Sequence, residues 1–127
     1  MEKRWIGGVL ILAVLLGAGL WIGCSMQRCH TPVAYDLEQA AQAALEGDMG
    51  RAQEAMRRAG RSWRRCYGLT AAVLDHAPME EVDSIFHQLE SYAEAGDRVA
   101  FAAWCSRAAS LVRALGEANS FTWKNLL

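Results

Sequence analysis

Residues Trp5 to Gly23 form nineteen consecutive positions without a charge, and Lys3 and Arg4 precede them. As a helix that run rises about 28 Å, close to the thickness of a bilayer's hydrocarbon core. The spacing predicts an N-terminal transmembrane anchor over residues 1–30 and a separate extracytoplasmic body over 31–127. Trp5 and Trp21 sit near the two ends of the run, where indole rings favour the headgroup level. Lys3, Arg4 and the amino group lie before it, and Arg28 is the firm positive charge soon after it. The positive-inside bias therefore predicts a cytoplasmic N-terminus and a body on the outer face of the cell membrane.

Two processed forms compete with an uncleaved anchor. A cleaved signal peptide has a shorter apolar stretch and a small-x-small cleavage site, which is not found here. Ile22-Gly23-Cys24 is similar to the end of a bacterial lipobox, which makes Cys24 a candidate lipidation site. Trp21 stands where that motif has leucine.

Beyond the anchor about a hundred residues remain, enough for one modest core. Residues 24–127, past the apolar run, carry eleven Lys/Arg and thirteen Asp/Glu, a balance that does not suit a nucleic-acid binder. Two prolines and abundant alanine favour helices over strands. Thr31-Pro32 reads as a helix start, with Thr31 as the cap. Gly47-Asp48 and Gly96-Asp97 each end one helix and cap the next. Ala77-Pro78 separates two more, so His76 would close a helix C-terminus and Glu80 and Glu81 would sit in a first turn. The four helices then cover about 32–46, 48–76, 78–95 and 97 to 118 or beyond.

Each of the four carries an alternating three-four apolar spacing, such as Met56, Ala59, Trp63, Cys66 and Met79, Val82, Phe86, Leu89. That seam predicts an all-α fold, an antiparallel four-helix bundle after the transmembrane helix. Counting depth from the two Gly-Asp turns sets Ala40, Met56, Leu89 and Trp104 in one layer. Leu37, Ala59, Phe86 and Ala108 form the next, and Val33, Trp63, Val82 and Leu111 a third. Cys66 and Cys105 fall about 15 Å apart in depth, too far to bridge, so both are expected as free thiols. Phe121, Trp123, Leu126 and Leu127 are expected to close the end that the short first helix leaves open. The repeated helix–Gly-Asp–helix unit is also similar to a tetratricopeptide hairpin, but its spacing is forty-nine residues where that repeat has 34.

Chemistry-bearing residues are few. Arg57, Arg58, Arg61, Arg64 and Arg65 crowd one stretch, while residues 66–97 hold seven acids and no Lys or Arg. The expectation is charge pairing along a hairpin. The alternative is an anion or partner face for phospholipid heads, wall polymers or an acidic protein surface. Cys24-x4-Cys29-His30 is a stretched form of the Cys-x-x-Cys-His pattern for covalent haem, with His76, His87 or a methionine as a second ligand. That makes a c-type electron carrier or sensor the alternative to a non-enzymatic interaction or structural module whose bundle binds another protein or itself. Catalytic, metal and cofactor residues are otherwise expected to be none.

The anchor, Trp63 in the long helix, Asp75-His76 ahead of Val82-Asp83, the Gly96-Asp97 turn and the ending Trp123-Lys124-Asn125-Leu126-Leu127 together resemble an uncharacterised family. It comprises short, N-terminally anchored proteins of spore-forming Gram-positive bacteria and is catalogued as a domain of unknown function. The likeness covers most of the chain and implies no active-site residues. The Cys24–His30 stretch departs from it.

Overall fold

A computed structural model describes residues 2–73 and 76–126, without the side chains of 69, 72, 73 and 118–126. The described residues form four helices and no strand: α1 (Glu2–Leu45), α2 (Met49–Val73), α3 (His76–Ala95) and α4 (Arg98–Leu126). α1 lies against both α2 and α4, and α3 lies against α4 and, more sparsely, α2.

The main departure from expectation is in α1. The apolar run and the first body helix are one 44-residue helix, and Thr31-Pro32 lies inside it rather than at a start. An internal proline removes a backbone hydrogen bond and costs about 3 kcal/mol. Here the helix is held on both sides of that defect. Cys29 is bonded to Cys66 just before it, and Val33 and Ala34 are fully buried just after it. Tertiary contacts thus outweigh the local preference for a break.

The two Gly-Asp turns form as expected, for a local backbone reason. Gly47 and Gly96 have φ of 88° and 72°, the left-handed region that glycine enters without a side-chain clash. The Asp48 N–H donates to the Ala43 carbonyl at 2.9 Å, and the Asp97 N–H to the Tyr92 carbonyl at 3.0 Å. These are the long bonds of a Schellman ending. Asp48 and Asp97 then cap the next helices, each Oδ1 accepting from a backbone N–H three residues on, of Arg51 and Ala100, at 3.1 Å. Between α2 and α3 the boundary moves. His76 and Ala77 already belong to α3, and Pro78 sits in its first turn, where no N–H is needed. His76 therefore does not close α2. Asp75 lies outside the described residues.

The core joins all four helices: Val33, Leu37, Ala40, Met56, Ala59, Trp63, Val82, Leu89 and Ala108 are all buried as expected. Phe86, Trp104 and Leu111 are only partly buried, while Ile85, Phe101, Cys105 and Val112 go inside. Regular burial on α1 begins at His30. Toward the N-terminus, Trp5, Val9, Leu10, Ile11, Leu12, Val14, Leu15 and Trp21 are all at least 50% exposed. α1 is long and apolar enough there to be a membrane span or a signal sequence. The expected seat of Phe121, Trp123, Leu126 and Leu127 lies outside the described side chains.

Candidate functional site

The cysteines sort differently from expectation. Cys29 and Cys66 form a disulfide with Cα atoms 5.8 Å apart, so Cys66 is not a free thiol. The cause is the continuity of α1. With Cys29 on a helix, rather than in a connection, it stands opposite Cys66 in the same register that sets Asp36 beside Arg58. Cys105 is free and buried, and burial pushes its thiol up to about 12. Cys24 is free and exposed on α1.

His30 sits beside the disulfide and is 2% exposed. The Thr70 hydroxyl donates to the Cys66 carbonyl at 2.8 Å, so its oxygen accepts from His30 Nε2–H at 3.1 Å. That assigns the Nε2–H tautomer and leaves Nδ1 as a buried acceptor with no hydrogen-bond partner. Gly116 on α4 makes room for it, since a Cβ there would stand 3.5 Å from Nδ1. Burial lowers the His30 pKa below its ordinary value, so the ring is neutral near pH 7. Trp63 stacks at a tilt over His30 with ring centres 6.0 Å apart, and Tyr67 meets Trp63 edge-on at 6.2 Å.

Cys29 and His30, the residues of the haem alternative, both have other partners in this structure. The Cys29 sulfur is already bonded to Cys66, and His30 Nε2 is engaged with Thr70. Neither thioether formation nor axial ligation is open to this pair as it stands. Among the described residues no group of three or more His, Cys, Asp or Glu converges as a metal site.

The arginines have different neighbours. Arg58 turns to α1 and lies 3.7 Å from Asp36 and 3.7 Å from Glu54. Arg51 pairs with Glu46 at 2.7 Å, and Arg65 donates to the Ser62 hydroxyl at 3.3 Å. Arg57, Arg61 and Arg64 instead line a cleft of about 370 Å³ between α2 and α3. Its other wall carries Asp83, His87 and Glu90, and its floor is Gly60 and Phe86 with Trp63 beneath. The expected pairing of α2 arginines with α3 acids is not made. The ion pairs of the described residues do not include Arg57, Arg61 or Arg64. Arg61, Arg64 and Arg65 also border an open depression on the outer side of α2. Sequence reasoning found these arginines by their crowding. It missed the His30–Thr70 pair and the Cys29–Cys66 bond, because both depend on a helix running through Pro32.

A family model described as a domain of unknown function, DUF4363, matches residues 21–126. No curated protein and no solved structure matches the chain.

Proposed function

The chain belongs to the DUF4363 family, and from that premise we propose a non-enzymatic, single-pass membrane protein that serves as a protein-interaction or structural module at the cell envelope. Residues 5–23 of α1 contact membrane lipid, the N-terminus is cytoplasmic, and the four helices form an antiparallel bundle on the outer side. The likeness to anchored proteins of spore-forming Gram-positive bacteria belongs to the same reading.

The observation that carries it is the Cys29–Cys66 bond. Cys29 lies six residues, about 9 Å of helix, past the end of the apolar run. Structural disulfides persist on oxidising faces and are rare in the cytosol. A disulfide one to two turns beyond an uncovered apolar helix supports a body held at the outer surface. The bundle is supported by its contacts: Cys29 with Cys66, Asp36 with Arg58, Trp63 with Asp83 and Glu38 with Arg113 all join segments that run in opposite chain directions. A non-enzymatic role is supported by the thiols. Cys66 is spent in the disulfide, and Cys105 stays protonated at neutral pH.

The test is fractionation of cells producing the full chain, with a phosphatase reporter fused after Leu127. The expected result is a membrane-bound product with an active, externally exposed reporter. A full-length product in the aqueous fraction, or a membrane-bound product whose reporter is inactive, rejects the reading.

A further inference from the structure

We infer that the cleft between α2 and α3 is the docking site for an acidic segment of a partner protein, held by Arg57, Arg61 and Arg64. The inference rests on the interaction role proposed above and specifies its surface.

The three arginines recur at steps of four and three, so they lie on one stripe of α2 about 10 Å long. Arg51, Arg58, Arg107 and Arg113 each have a carboxylate within ion-pair distance, and among the described residues these three do not. Like charges at i,i+3 and i,i+4 repel one another, a cost that a bound anion relieves. The neighbouring acids do not relieve it. Asp83 accepts from the Trp63 indole N–H at 2.8 Å, and Glu90 makes no ion pair among the described residues.

The shape of the site selects among anions. The register of Cys29 with Cys66 and of Asp36 with Arg58 sets the stripe along α1, and so, with α1 spanning the membrane as proposed above, along the membrane normal. Arg57 stands about 10 Å farther from the bilayer than Arg64, more than the depth of one headgroup layer (about 5–8 Å). A flat lipid surface therefore cannot engage all three. A uniform polyanion would meet the Asp83 and Glu90 carboxylates on the facing wall and gain nothing from the half-buried Phe86. A polypeptide suits both walls. Its Asp or Glu side chains meet the guanidiniums, its N–H groups meet Asp83 and Glu90, and one apolar side chain covers Phe86 and Gly60.

The test uses the full chain in its own membrane, with a photo-crosslinking phenylalanine analogue at His87 on the cleft rim and, in a second strain, at Ser106 on the exposed side of α4. The expected result is a protein adduct from position 87 whose crosslinked segment is rich in Asp and Glu. Its yield falls at least tenfold with Arg61→Glu and by a smaller factor with Arg61→Gln, while helix content by circular dichroism is unchanged. An adduct with lipid or wall polymer, a protein adduct indifferent to both substitutions, or no adduct at position 87 overturns the inference. A protein adduct from position 106 alone leaves the interaction role standing and removes the cleft from it.

Discussion

The indole Nε1–H of Trp63 on α2 donates to Asp83 Oδ1 on α3 at 2.8 Å, although Trp63 is 1% exposed. The bond gives the largest buried side chain of the core its one polar partner across a sparse helix contact. It also occupies one oxygen of a carboxylate on the wall of the arginine cleft.

Removing the acceptor should therefore cost more than an exposed aspartate would. Asp83→Ala leaves a buried N–H unpaired, a loss of about 1–3 kcal/mol. Asp83→Asn keeps a carbonyl acceptor in place and should lose well under half of that. Denaturant unfolding of the full chain in micelles measures both. Equal losses for the two substitutions would mean that the charge, and not the hydrogen bond, is what Trp63 needs.

The four cysteines should label in three stages. A small maleimide should modify Cys24 in the native protein without reductant, because it is free and exposed. Cys29 and Cys66 should react only after a reductant has opened their bond. Cys105 should react only on unfolding, since it is 0% exposed and its thiol is pushed up to about 12. Peptide mass mapping at each stage reads the order. Early modification of Cys66 without reductant would refute the link between α1 and α2.

That link should also be worth a measurable share of stability. It closes a loop with a sequence separation of 37 residues. The chain-entropy relation assigns a loop of that size about 4 kcal/mol, an upper figure for the loss in Cys29→Ala. The same substitution frees α1 at Pro32, so amide exchange should speed up most in residues 28–36. A variant that unfolds at the wild-type denaturant concentration would show that Pro32 is held by packing alone.

Local backbone rules made part of this structure legible. Gly47-Asp48 and Gly96-Asp97 could be placed because a left-handed residue followed by a capping carboxylate is a requirement of neighbouring residues. The three-four seam found Met56, Ala59, Trp63, Val82 and Leu89. It missed Ile85 and Val112, because a helix flanked by two neighbours buries a stripe wider than one seam. Thr31-Pro32 misled because the proline's cost is local and the contacts offsetting it come from α2. Trp63 and Val82-Asp83 were each legible as points of family likeness, but nothing local says that they touch. The arginine cleft stayed hidden for a related reason. Periodicity gives depth along a rod and leaves open how far apart two rods stand, so acids at matching depth on α3 looked like partners and are not.

His30 should make stability depend on pH. Its ordinary pKa of 6.5 is lowered in the fold by burial, with Thr70 and Trp63 packed on it and Gln27, Arg113 and Glu117 bordering the small cleft at its side. Below about pH 6.5 the unfolded chain takes up a proton at this position that the folded chain refuses. Stability is therefore complete above that pH and declines as pH falls, until the folded ring also protonates and the loss levels off. The slope within that window is at most about 1.4 kcal/mol per pH unit for a single group. His30→Gln can still donate to Thr70 and does not titrate, so its stability should change less between pH 7 and 5 than that of the wild type. Parallel stability profiles for the two proteins across that range would show that the folded ring takes up its proton as readily as the unfolded one.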